Sequence, residues 1–84
     1  METNEIMHCL KKIVSPYVQN EPAFQDFNLK TDFLKDLEIN SANLVDIVLD
    51  VEDEFDIAID NDSMDNMLTV KDAVAIIKEK RAGA

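Results

Sequence analysis

Apolar residues recur at helical spacing in three stretches of the chain. The first stripe, Ile6, Leu10, Ile13, Val14 and Tyr17, advances by steps that keep side chains on one side of an α-helix. Pro16 ends or bends this helix, because proline has no N–H to donate and its ring clashes with the preceding turn. The second stretch opens at Asn40, a good N-cap, takes Ser41 as its first helical residue and runs to about Phe55. The third runs from Val70 to Lys80 on Val70, Ala73, Val74, Ile76 and Ile77. Thr69 is its candidate N-cap, and Lys78, Lys80 and Arg81 suit the negative end of its dipole. Nowhere is the period-two alternation of a half-buried strand sustained. The only glycine is Gly83, so hairpins with glycine turns are absent.

Between the first two helices lies a connection from about Gln19 to Asn40. It contains Pro22 and the isolated apolar residues Ala23, Phe24, Phe27, Leu29, Phe33, Leu34 and Leu37. A connection of that length is uncommon unless its side chains pack or it serves a function. Its aromatic residues are expected to pin it to the core. The stretch IDNDSMDNML, before the last helix, is expected to form one short helical turn. The expected fold is all-α: a small four-helix bundle of three main helices and one short one, with a long loop between the first two. With 84 residues, the chain is expected to form a single domain over 1–84.

Around the second helix, at about 100° per residue, Leu44, Ile47, Val48, Val51 and Phe55 share one face, the core face. Ala42, Val45 and Leu49 fall to one side of it, and Asp46, Asp50 and Asp53 border that second stripe. This is more apolar surface than a core face needs. It reads either as a protein-docking strip rimmed by charge or as a wider core face with a solvated acidic back.

Charge narrows the range of partners. The chain carries 18 acids against 8 bases, a net charge of -10. From Asp36 to Val70 there are eleven acids and no lysine or arginine. Phosphate contacts need basic residues, so no nucleic acid partner is expected, and anionic membrane surfaces are disfavoured likewise. Basic protein surfaces are favoured, although acidity also serves solubility alone. No apolar run is long enough to span a membrane, and METNEIMHCLKK lacks the order of a signal peptide. The single cysteine, Cys9, excludes an internal disulfide and fits a reducing compartment, so a cytoplasmic location is expected.

Candidate chemistry is sparse. Ser41 stands at a helix start, where a serine serves as a cap without further role. No Gly-x-Ser-x-Gly turn surrounds it, and the only histidine, His8, belongs to another helix; no catalytic residue is expected. DNDSMD, from Asp60 to Asp65, looks like the opening of a calcium loop. Asp65 stands where the glycine belongs and Lys71 where the closing glutamate belongs, so no metal site is expected.

The ordered set of motifs resembles the acyl carrier proteins over nearly the whole chain. Phe33, Asp36 and Leu37 match that family's F-x-x-D-L approach, Asn40-Ser41-Ala42 its Asp-Ser-Leu triplet, and Glu52, Glu54 and Phe55 its E-x-E-F. Ile59 and Thr69-Val70 match later landmarks. The resemblance implies that Ser41 carries a covalent 4′-phosphopantetheine arm, added from coenzyme A by a phosphopantetheinyl transferase. The arm's thiol would hold acyl groups as thioesters for synthase, reductase or acyltransferase partners of fatty-acid, polyketide or related synthesis. Asn40, Ala42, Val45, Asp46, Leu49, Asp50, Glu52 and Asp53 would form the docking surface for basic and apolar patches on those enzymes. Leu44, Ile47, Ile59, Met64 and Met67 would surround any acyl shelter. Asn40 departs from the family's aspartate and Ala42 from its leucine, removing a charge and an apolar anchor beside the arm and pointing towards a specialised pathway. A freestanding, monomeric carrier is expected, and not an enzyme. The alternative is an unmodified acidic helical adaptor with the carrier fold, binding basic partners.

Overall fold

The computed structural model describes residues 2–82. Helix α1 spans Thr3–Val14, α2 Glu21–Gln25, α3 Ser41–Phe55, α4 Asn61–Asp65 and α5 Val70–Ala82. The three long helices stand where the periodicity places them, and the short α4 lies in the stretch expected to form a helical turn. α5 runs two residues beyond Lys80, and α2 is an addition inside the long connection. Among the described residues there is no β-strand, only one isolated antiparallel bridge between Asp32 and Thr69.

α1 stops at Val14, and a 3₁₀ turn over Ser15–Tyr17 takes Pro16 near its start, where the missing N–H is not needed. The same logic places Pro22 in the first turn of α2. There Asn20 caps the helix by accepting the Ala23 N–H at 3.3 Å. Thr69 and Asp72 cap α5 reciprocally: Thr69 Oγ1 accepts the Asp72 N–H and Asp72 Oδ2 accepts the Thr69 N–H, both at 3.2 Å.

α1 packs against both α3 and α5. It buries Ile6, Leu10 and Val14, while Ile13 and Tyr17 lie half-buried at the edge of the core. α3 contributes Ile47, Val48, Val51 and Phe55, and its expected core residue Leu44 is half-buried. α5 contributes Val70, Ala73, Val74, Ile76 and Ile77. Val14, Val51 and Ile77 have no exposed surface, so truncating any of them opens a cavity and costs about 1–4 kcal/mol.

The long connection is an ordered, packed segment. Phe33, Leu37 and Ile39 are buried, and Phe24 and Phe27 pack edge-on with ring centroids 6.2 Å apart. The backbone is fastened to the start of α5: Phe33 donates to the Leu68 carbonyl at 3.0 Å, Val70 to Thr31 at 2.9 Å and Lys71 to Leu29 at 2.9 Å. Asp32 Oδ1 accepts the Leu34 and Lys35 N–H groups at 2.9 and 2.8 Å, and Asp36 Oδ2 accepts the Asp32 N–H at 2.8 Å. The F-x-x-D-L stretch is thus a tight turn with two apolar plugs and a carboxylate that holds it closed.

A candidate modification and docking site on α3

The turn ends by aiming α3. Glu38 adopts a left-handed conformation, φ 55°, which non-glycine residues enter at a cost of about 1–2 kcal/mol. Beyond it, Ile39 drops into the core with its N–H on the Phe33 carbonyl at 3.1 Å. Asn40 and Ser41 then emerge into solvent.

The cap at this end is Asn40. Its Oδ1 accepts the Ala42 N–H at 2.9 Å and its carbonyl accepts the Asn43 N–H at 2.8 Å. Asparagine performs this task without charge. The exposed Ser41 hydroxyl has no hydrogen-bond partner among the described residues, so the helix start does not account for a serine there. No acid stands in the first turn of α3, in a chain with 18 of them. The helix N-terminus therefore keeps its partial positive charge unopposed, which suits a phosphate ester at Ser41.

Down the helix, Ala42, Val45 and Leu49 lie outside the core. Val45 is 48% exposed and Leu49 56%. The two large ones are excess apolar surface, as the wheel of residues indicated. Asp46, Asp50 and Asp53 are exposed beside them. The Tyr17 hydroxyl donates to Asp50 Oδ2 at 3.4 Å, and burial, then Asp50 and Asp46, hold the phenol above its ordinary range.

Glu52 is placed differently from the other acids. Half-buried, its Oε2 accepts the Ile59 N–H at 2.7 Å and ties the segment after α3 back onto the helix. Its carboxylate is engaged within the fold, a role that no local sequence signal marks. Arg81 is a second such residue: from the last turn of α5 its Nη1 donates to the Phe55 carbonyl at 3.0 Å, satisfying one of the free carbonyls at the end of α3. That end crowds Glu52, Asp53 and Glu54 where the helix dipole is negative, and no base stands in the last turn of α3.

Of the residues expected around an acyl shelter, Ile47 and Met67 are fully buried, and Leu44, Ile59 and Met64 pack half-buried against the core. Asp60 caps α4 through Oδ1, which accepts the Ser63 N–H at 2.7 Å, so the resemblance of DNDSMD to a calcium loop ends in a helix cap. Among the described residues no group of three or more histidine, cysteine or acidic side chains is placed to hold a metal ion. Among the described residues no helix is long and apolar enough to cross a membrane. Cys9 is half-buried in α1, and burial, then the charge of Glu54, pushes its thiol up from 9.0.

Comparison with known proteins shows the family. The family model of the phosphopantetheine attachment site matches residues 23–77, more than half of the chain. The acyl carrier protein of Caulobacter vibrioides (strain NA1000 / CB15N) is 35% identical over 79 residues, covering 94% of this chain and 99% of the relative. That of Zymomonas mobilis subsp. mobilis is 38% identical over 73 residues, covering 87% and 91%. That of Phenylobacterium zucineum is 32% identical over 77 residues, covering 92% and 95%.

Proposed function

The chain belongs to the acyl carrier proteins, carriers that bear phosphopantetheine and are not enzymes, and on that footing we propose that Ser41 is the attachment residue and the exposed face of α3 the docking surface. The observation that carries the reading is the free, exposed Ser41 hydroxyl beside an apolar strip with an acidic border. The arm supplies a terminal thiol on which an acyl group travels as a thioester. The chain's own residues present and address it. Asn40 holds the first turn, leaving Ser41 Oγ free to be esterified, and the acid-free first turn accommodates the phosphate. Val45 and Leu49 offer apolar area to a partner, while Asp46, Asp50 and Asp53 meet its basic residues and set its register.

Asp53 and Glu54, both exposed, stand where the α3 dipole disfavours them. Local stability alone would not select that arrangement, and recognition of basic partners gives it a purpose. The partners in this reading are a phosphopantetheinyl transferase and the synthase, reductase or acyltransferase enzymes of fatty-acid, polyketide or related synthesis. The protein acts as a cytoplasmic monomer of one domain over 1–84. The neutral Asn40 and short Ala42 narrow the set of enzymes that accept it and favour a specialised pathway.

Incubation of the apo-protein with coenzyme A and a broad-specificity transferase, followed by intact mass measurement, tests the assignment. Gain of one phosphopantetheine, absent from Ser41→Ala, is the expected result. No gain on folded protein with several transferases would overturn it and leave the unmodified adaptor.

A further inference from the structure

His8, Lys11 and Lys12 of α1 and Ser15, which opens the 3₁₀ turn after it, follow one another at helical spacing and are all exposed. Phe24 from α2 packs against them, with Lys11 Nζ 5.4 Å from the ring centroid. Together these five residues line a pocket of ≈ 340 Å³. It has an aromatic floor, two ammonium groups, an imidazole and a hydroxyl, and no carboxylate lines it. Neither lysine pairs with an acid among the described residues.

Lys12 also borders a second cleft. This groove of ≈ 520 Å³ is lined by Lys12, Ile13 and Pro16 of the α1 end and by Asp50, Asp53 and Glu54 of α3. The acidic rim of the docking face therefore forms one wall of the groove, and the surface changes sign at Lys12 on the other.

We propose that the pocket of His8, Lys11, Lys12, Ser15 and Phe24 is a second docking point, which receives an acidic side chain of the protein partner seated on α3. The proposal rests on the α3 docking reading and extends it. Charge complementarity decides the occupant. A second copy of this chain, at -10, is repelled as a whole, whereas a partner with a basic patch and an adjoining Asp or Glu fits both halves. At long range the chain's acids dominate and steer the basic patch. The pocket acts only within a Debye length, about 8 Å at physiological salt, and so sorts partners after encounter. A uniformly basic partner meets repulsion there, which fixes orientation and rejects wrong enzymes.

The test is an amide-shift titration of the full apo-chain at fixed ionic strength with three probes. These are the capped tripeptide glutamyl-phenylalanyl-glutamate, its lysyl-phenylalanyl-lysine counterpart and inorganic phosphate. The acidic peptide is expected to give saturable shifts at His8, Lys11, Lys12, Ser15 and Phe24, weakened about tenfold in Lys11→Gln/Lys12→Gln. The basic peptide is expected to shift amides from Val45 to Asp53, and Asp46→Asn/Asp50→Asn to abolish that while leaving the acidic peptide's binding intact. Amide dispersion of each variant reports that it folds. No saturation by the acidic peptide, shifts at the pocket from the basic peptide, or phosphate binding there as tightly as the acidic peptide would each overturn the proposal. The basic peptide reports separately on α3, and neither readout requires a loaded Ser41.

Discussion

Glu52→Ala should destabilise the protein, and Asp53→Ala, its exposed neighbour, should not. The Glu52 carboxylate accepts the Ile59 N–H at 2.7 Å from a half-buried position, a charge-assisted bond that contributes about 1.5–3 kcal/mol. Removing an acid from the negative end of α3, beside Asp53 and Glu54, returns about 0.3–1 kcal/mol, and alanine's helix propensity a few tenths more. The net loss is about 1–2 kcal/mol. Glu52→Gln keeps an acceptor and gives up only the charge, so it should stay within about 0.5 kcal/mol of the parent. Asp53→Ala loses no bond and should be neutral or slightly stabilising. Urea unfolding followed by far-UV circular dichroism measures all three, with unchanged slopes confirming that the midpoints report stability. Equal midpoints for Glu52→Ala and Asp53→Ala would refute the reasoning and return Glu52 to the surface acids.

Asp60 is exposed, yet hydrogen bonds from Ser63, its hydroxyl first and then its N–H, with Lys80 adding at 3.5 Å, hold its carboxyl below 3.8. A folded value below the unfolded one stabilises above the unfolded value, and the gain is lost as pH falls through the folded one. Asp60→Asn should therefore flatten the loss of stability on acidification below about pH 4, measured as the thermal midpoint against pH. Asp56 sits in the left-handed region at the end of α3, φ 53°, with Ile57 N–H on the Glu52 carbonyl at 3.1 Å, so Asp56→Gly should raise stability by about 0.5–1 kcal/mol in the same urea assay. Asn40→Asp/Ala42→Leu restores the family's triplet, and the added apolar contact, about 1–2 kcal/mol, should raise kcat/KM for loading by a broad-specificity transferase about 5- to 30-fold.

The long helices were legible because burial imposes a period, and Ile6, Leu10, Ile47, Val51, Val74 and Ile77 obey it. Asn40 and Thr69 were legible as caps because their side chains act on the next few residues. The helix α2 was missed although Asn20, Glu21 and Pro22 form a helix start. Pro22 also reads as a breaker, and five residues are too few for a period to show. The order of the connection rests on Asp32, Asp36 and the pairing of Thr31 and Phe33 with the start of α5, contacts that no local pattern reveals. Ser41 was visible as a residue, but its free hydroxyl depended on which of two neighbours capped the helix. The inward role of Glu52 and the reach of Arg81 to Phe55 arise only once separate segments meet.

The fastening of Thr31, Phe33 and Lys71 across the Asp32–Thr69 bridge bears on the thermodynamics of delivery. The segment leading to Ser41 loses its conformational entropy when the chain folds, not when a partner arrives. An enzyme that docks on α3 as proposed would meet Ser41 at a fixed offset, with the segment before it already ordered. An arm carried by Ser41, as proposed, would then be the tether whose length sets the effective concentration of cargo at the partner's active site.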